Sequence, residues 1–278
     1  MDCDRIRHIS DVISFIEAHL QEKLELDAVA DAARYSKYHL HRMFTDTVGI
    51  TPHDYIQRRR LSEAARRLVF SDAPVLEIAL SSGYESQQAF SAVFKSMYKR
   101  TPLEYRRNQA FYPLQLALVL NGSPSAPGEV CYASPGDVSD WMSFTALVID
   151  GFPCLEESAH LERVRGHIQR RQALLMRDGT AVIGAAAFSR RTGHIDFLAV
   201  HPQYRRCGVW EALLAQMRRG TPAERGLSVT TFRAGDRADT GQRAEYRRLG
   251  FAESELLTEF GYPTQRLVLP PVRGEAEV

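Results

Sequence analysis

Apolar residues recur at helical spacing from the start of the chain. Ile6, Ile9, Ile13, Ile16 and Leu20 fall on one face of a 3.6-residue period and predict a first helix. Leu26, Val29 and Ala33 predict a short second helix, with Asp27 in its first turn, where a negative charge suits the helix dipole. Leu40, Met43 and Phe44 face inward on a third, and Ser36 stands where it can cap it. Thr51 and Pro52 restart the chain as cap and first helical residue. Tyr55, Ile56, Leu61, Ala64, Ala65 and Leu68 mark the inner face of a long helix to about Phe70. Val75, Ile78 and Ala79 open another short helix. Gly83 permits a left-handed turn, and Phe90, Val93, Phe94 and Met97 bury the helix after it.

This pattern occurs twice. Ala30-Asp31-Ala32-Ala33-Arg34-Tyr35-Ser36 is echoed 49 residues on by Ala79-Leu80-Ser81-Ser82-Gly83-Tyr84-Glu85. Phe44, Thr51, Pro52 and Tyr55 return 50 residues on as Phe94, Thr101, Pro102 and Tyr105. A short helix, a tight turn, a polar-headed helix and a Thr-Pro restart, repeated, predict two helix-turn-helix units on one chain and point to DNA.

The texture then changes. Asn121 to Gly128 is a small-residue, Pro/Gly stretch without periodicity and reads as linker. Beyond it Val130–Tyr132 reads as a strand, and Ser139–Val148 and Glu156–Gln169 read as helices. Ala173–Met176 and Ala181–Phe188 form a hairpin about Arg177-Asp178-Gly179-Thr180. Ile195–Val200, Leu227–Phe232 and Thr264–Leu269 are further strands, with helices over Val209–Arg218 and Gln242–Leu249. Strands that first meander and then alternate with helices predict an α+β sheet domain.

Length and composition fit two soluble domains. The longest apolar run, Leu114 to Leu120, is too short to span a bilayer, and the polar start Met1-Asp2-Cys3-Asp4-Arg5 is no signal peptide, so a cytoplasmic protein without membrane contact is expected. Cys3, Cys131, Cys154 and Cys207 form no CxxC pair; free thiols are expected and no metal. The net charge of +1 does not advertise a nucleic-acid binder. Local clusters matter more to phosphate affinity, and Arg58-Arg59-Arg60, Arg66-Arg67 and Lys95, Lys99, Arg100, Arg106 and Arg107 supply them.

With the apolar positions turned inward, Tyr38, His41 and Arg42 point out together from one polar-headed helix, and Gln87, Gln88 and Ser91 from the other. Arginine suits guanine and glutamine suits adenine by bidentate contact in the major groove. Tyr35-Ser36-Lys37-Tyr38-His39-Leu40-His41-Arg42-Met43-Phe44, Tyr84-Glu85-Ser86-Gln87-Gln88-Ala89-Phe90 and Thr101-Pro102-Leu103-Glu104-Tyr105-Arg106-Arg107 resemble the AraC/XylS family of transcriptional regulators, in its antibiotic-resistance, superoxide-response and right-origin-binding branch. The resemblance covers about residues 5–108. It implies seven helices and DNA contacts from Ser36, Lys37, Tyr38, His41, Arg42, Ser86, Gln87, Gln88, Ser91 and Lys95. Both recognition helices would enter successive major grooves about 34 Å apart, so one chain could bind an asymmetric promoter site as a monomer. RNA polymerase is the implied partner and activation the expected output. Two residues depart from the family. Arg34 stands where the first unit is expected to have a glycine like Gly83, at a cost of about 1 kcal/mol for a left-handed residue. Ala92 replaces an exposed arginine, so specificity is expected to lean on Arg42.

In the second half, the strand ending at Val200 runs into His201-Pro202-Gln203-Tyr204-Arg205-Arg206-Cys207-Gly208-Val209 and then a helix. That geometry offers backbone N–H groups and a positive helix end to an anion. With Tyr246-Arg247-Arg248-Leu249-Gly250-Phe251, this resembles the GNAT superfamily of acyl-CoA-dependent N-acetyltransferases over about residues 129–270. The resemblance implies acetyl-CoA as cofactor. Arg205, Arg206, Cys207, Gly208 and Val209 would form the pyrophosphate loop, and Leu198, Ala199 and Val200 would pair with the pantetheine arm. Tyr246 falls at the general acid's position and His194 where many members place a base, with Asp196 on the same strand face. Trp210 stands where the family loop ends in glycine or alanine, and an indole there is expected to obstruct the pyrophosphate or replace the ligand.

The expected architecture is an all-α double helix-turn-helix domain (1–110), a linker (111–128) and an α+β GNAT-like domain (129–278). Two functions follow. One is a promoter-binding regulator whose second domain senses a small-molecule effector. The other is a bifunctional regulator whose second domain acetylates an amine.

Overall fold

A hydroxyl caps each of the four polar-headed or Thr-Pro helices of the first half. In a computed structural model, which describes residues 3–22, 24–122, 127–148, 157–259 and 261–271, the helices of this half are α1 (Cys3–Ala18), α2 (Leu26–Ala32), α3 (Lys37–Val48), α4 (Pro52–Phe70), α5 (Val75–Ser81), α6 (Gln87–Tyr98) and α7 (Pro102–Asn108). Ser36, Thr51, Ser86 and Thr101 each accept a backbone N–H from the first turn of the helix they open. Thr101 and Glu104 complete a reciprocal capping box. The core repeats as well. Phe44 meets Tyr55 edge-on at 5.7 Å between ring centroids, and Phe94 meets Tyr105 in the same way at 5.3 Å.

The described residues divide into two compact units, and the helical one extends beyond α7. Residues 111–120, expected to begin the linker, instead run extended across the helical core. Tyr112, Leu114, Leu118 and Leu120 are buried while Ala117 and Val119 are exposed, an alternation suited to an extended strand of chain. Side chains on α4 and α7 hold this arm. The Ser62 hydroxyl accepts the N–H groups of Leu114 and Gln115 at 2.9 and 3.0 Å. The Tyr55 hydroxyl accepts that of Leu118 at 3.1 Å, and the Tyr105 hydroxyl that of Tyr112 at 2.9 Å. A backbone this buried needs such partners. Part of the expected linker, residues 123–126, lies outside the described residues.

The second unit is a seven-stranded sheet with helices on both faces. Its elements are β1 (Val130–Tyr132), α8 (Val138–Val148), α9 (Glu157–Gln169), β2 (Ala173–Asp178), β3 (Ala181–Phe188), β4 (His194–Val200), α10 (Val209–Arg219), β5 (Leu227–Phe232), α11 (Gln242–Arg248), β6 (Ala252–Glu259) and β7 (Tyr262–Leu269). The strand order is β1-β2-β3-β4-β5-β7-β6. Helices α8 and α9 cover one face through Trp141, Phe144, Val164 and Ile168. Helices α10 and α11 cover the other through Val209, Trp210, Leu213, Met217 and Tyr246. β3 lies between these layers, which is why Ile183 to Phe188 is an unbroken apolar and small run. Gly184 within it is required by packing, since a Cβ there would lie 2.6 Å from Val209 of α10.

β4 and β5 are parallel and pair only at His194–Ser228 and Ile195–Val229. Beyond that point they form no pair among the described residues, so Leu198 to Val200 face an unladdered edge on the β5 side. The sequence pattern did not reveal β6. It is an edge strand whose residues are nearly all exposed, so it has no buried face to impose an apolar alternation. No helix of the described residues is long and apolar enough to cross a membrane.

Candidate functional sites

The two helix-turn-helix units share one backbone and differ in the residues that make it. Arg34 has φ 56 and Gly83 has φ 81, and in each unit the next residue, Tyr35 or Tyr84, donates its N–H back to Ala30 or Ala79. The expected departure at Arg34 is therefore a true left-handed arginine. Gly83 has a second reason to be glycine, because an added Cβ would meet the Arg60 guanidinium at 2.9 Å. The far ends of the two recognition helices exchange roles: α3 ends on left-handed Gly49 (φ 86) and α6 on left-handed Lys99 (φ 58).

The heads of α3 and α6 stand free of this frame. Tyr38 is 90% exposed, and Lys37, His41 and Arg42 are exposed beside it, while Leu40, Met43 and Phe44 are buried. On α6, Gln87, Gln88 and Lys95 are exposed and Ser91 is half-buried, over buried Phe90 and Phe94. Ser36 and Ser86 spend their hydroxyls as caps, on His39 N at 3.3 Å and Ala89 N at 3.2 Å. Lys37 makes an exposed ion pair with Asp27 at 2.9 Å, of the kind that contributes little stability.

The basic clusters divide differently from the expectation. Arg58 and Arg59 are buried, at 4% and 7% exposure. Arg59 donates to both carboxylate oxygens of Glu17 and to the carbonyl of Gln115, so it ties α4 to α1 and to the arm. Its burial is tolerable because the charge is paired. Arg60 donates to the carbonyl of Leu20 at 2.9 Å, and Arg106 to that of Leu68 at 3.2 Å. These arginines hold the fold. Arg42, Arg66, Lys95 and Arg107 remain exposed. A run such as Arg58-Arg59-Arg60 reads as a cluster in sequence, but three consecutive residues of a helix point in three directions.

In the sheet unit, Gly208 caps α10 in the left-handed region (φ 76), with open space where a Cβ would be and no side chain capping the helix. Arg206 and Gly208 are exposed, Arg205 and Cys207 half-buried, and Val209 fully buried. Burial pushes the Cys207 thiol up, which makes it a poor thiolate despite the helix that follows. The side chain of Cys3, and Cys154, lie outside the described residues.

Trp210 turns into the core rather than over the loop. It is 4% exposed and meets Tyr246 of α11 edge-on at 5.9 Å, and its Nε1 is buried without a hydrogen-bond partner among the described residues. Tyr246 is itself 2% exposed. The other two expected catalytic residues lie on the opposite face of the sheet. Ala187 pairs with Phe197 and Phe188 with Ile195, so Asp196 is the extra residue of a bulge. The bulge turns Asp196 toward α9, where His167 Nε2 lies 3.4 Å from its carboxylate. Phe197 packs on Trp141 and His160 on the same side. His194 shares a hydrogen bond with Ser228 at 3.1 Å, at the closed end of the β4–β5 pair. Tyr246 is thus not assembled with His194 and Asp196.

Sequence reasoning missed His167 and His160. His160 is 4% exposed, accepts from Trp141 Nε1 at 3.4 Å, and is pushed down to about 4 by burial, with the Arg163 and His167 charges adding to the effect. Burial also lowers His167, against the pull of Asp196. No signal at the sequence level marks either histidine, because each is placed by the packing of α8 and α9 on the sheet.

Comparison with known proteins follows the same division. A family model described as a helix-turn-helix domain matches residues 29–108, and one described as an acetyltransferase (GNAT) domain matches residues 150–262. The chain is similar to the regulatory protein SoxS of Escherichia coli (strain K12), 44% identical over 98 residues, which is 35% of this chain and 92% of SoxS. It is similar to the transcriptional regulator Rob of Salmonella typhimurium, 44% identical over 105 residues. That match covers 38% of this chain and only 36% of Rob. A solved GNAT-family acetyltransferase from Bacillus cereus is 14% identical, with a TM-score of 0.42, over 54% of this chain and 100% of that one.

Proposed function

We propose, from the premise that this chain belongs to the AraC-type helix-turn-helix family of transcription regulators and carries a GNAT domain, that it is a one-component activator whose second domain senses a small molecule. The observation that carries the DNA reading is the doubled frame. Two capped helices, α3 and α6, expose polar heads over matched aromatic cores, and packing alone does not require Tyr38, His41 and Arg42 or Gln87 and Gln88 to be where they are. Arg42 reads a guanine, Gln87 and Gln88 read adenine, and Lys37 and Lys95 meet phosphates. RNA polymerase is the partner this role requires.

In the second domain the residues fit an acyl-CoA at one end and not at the other. The left-handed, open Gly208 and the uncapped start of α10 suit a pyrophosphate, and the unladdered edge at Leu198 to Val200 suits an extended arm. At the reacting end, Tyr246 is buried against Trp210 of α10 and is parted from His194 and Asp196 by the sheet. Sensing therefore fits this site better than acetyl transfer. Calorimetric titration of the full chain with acetyl-CoA tests it, with Trp210→Ala in parallel. Micromolar binding by the native chain without acetyl transfer to an amine, with Trp210→Ala binding no more tightly, supports a sensing site whose loop the inward indole leaves open. Tight binding by the native chain, with acetyl transfer to an amine, would replace this reading with the bifunctional one. A reporter whose output falls when the protein is expressed would overturn activation.

A further inference from the structure

After β5 the chain leaves the sheet, contributes Asp236–Thr240 to the helical unit, and only then enters α11. The excursion begins after Gly235 (φ 74) and ends at Gly241 (φ 97), the N-cap of α11. Both glycines are left-handed with open space around them, so the backbone can turn at each end with little strain.

Within the helical unit the segment is held by charge and by its own carbonyls. Arg58 of α4 donates from Nη2 to the carbonyls of Ala238 at 2.9 Å and Arg237 at 3.1 Å. Lys99 Nζ lies 2.8 Å from Asp236 Oδ1 and 2.8 Å from the carbonyl of Ser96. The same Asp236 oxygen accepts the N–H of Ala238 at 2.9 Å, and Ala238 is fully buried. Lys99 is also the left-handed cap on which recognition helix α6 ends. The segment therefore grips the helix that joins the two helix-turn-helix units and the last turn of one recognition helix. A cavity of about 330 Å³ beside it, lined by Thr45, Asp54, Arg58, Met97, Arg237 and Asp239, gives it room to shift.

We propose that Asp236–Thr240 is a strap that holds α6 and α4 in their DNA-reading positions. This rests on the DNA-reading role above and names what positions its helices. Releasing the strap costs the buried Arg58 its carbonyl partners and Lys99 its carboxylate, so the docked state is favoured.

The test uses the full chain and two variants. Asp236→Asn keeps an oxygen for the Ala238 N–H and removes the charge that faces Lys99; Arg58→Met removes the grip on the carbonyls. Two quantities are read: amide hydrogen exchange over Lys95–Arg100, and affinity for a duplex selected from a random pool by the wild-type chain. Each variant is expected to exchange about tenfold faster there and to bind the duplex about tenfold more weakly. Unchanged exchange, or faster exchange with unchanged affinity, overturns the strap. A wild-type chain that selects no duplex refutes the DNA reading instead, and the exchange data then stand alone on whether the segment holds α6.

Discussion

The helical unit carries its proposed DNA-reading residues outside its core, and the sheet unit carries its expected catalytic tyrosine inside. On α3 and α6 the frame is buried and the reading residues are exposed, so Tyr38, Arg42, Gln87 and Gln88 contribute little to stability. In the sheet unit Tyr246, expected as the general acid, is itself part of the core, packed against Trp210. Function and stability are separable in the first unit and coupled in the second.

The sharpest break of this contrast is Trp210→Ala. Emptying a buried indole position costs about 3–5 kcal/mol, read as a fall in the melting temperature of the sheet unit, with no gain in acetyl-CoA affinity. Unchanged stability would mean that the ring is not the packing element its burial indicates. Arg42→Ala is the opposite case. It is expected to cost about 1–3 kcal/mol of discrimination between a selected duplex and random DNA, with no loss of melting temperature. Equal discrimination before and after the change would remove Arg42 from the reading surface.

Acid sharpens the same contrast. His160 is held below its usual value, so the unfolded chain binds its proton first, and the sheet unit loses stability as pH falls from about 6.5 to about 4. Denaturant melts followed by the fluorescence of Trp141 and Trp210 should show this slope, and His160→Gln should flatten it. The smallest effects lie at the paired left-handed turns. Arg34→Gly should stabilise by up to about 1 kcal/mol, whereas Gly83→Ala should destabilise by about 1–2 kcal/mol, since Arg60 lies where the new methyl goes. Equal and opposite shifts would mean that Arg60 yields freely.

The doubled helices were legible because their cores use a 3.6-residue period and their turns use hydroxyl caps and Thr-Pro restarts, all local signals. The heads of α3 and α6 followed by elimination, since positions not needed inward point outward. The sheet order-determining elements were mostly legible for the same reason, except β6, whose exposed polar residues carry no period. The arm at 111–120 was misjudged because its partners, Ser62, Tyr55 and Tyr105, are distant in sequence. The arginine run at 58–60 was misjudged because charge in a sequence carries no direction.

Local chemistry thus determined the elements, the repeat, the left-handed turn at Arg34 and the loop that opens α10. Tertiary structure decided which charges are spent on the fold, that Trp210 turns inward onto Tyr246, and that a bulge sends Asp196 to His167 on the other face of the sheet. It also gave Asp236–Thr240 to the helical unit. Periodicity and caps act within a few residues and are written in order along the chain. Burial and pairing depend on which distant surfaces meet, and that is fixed only when the cores close.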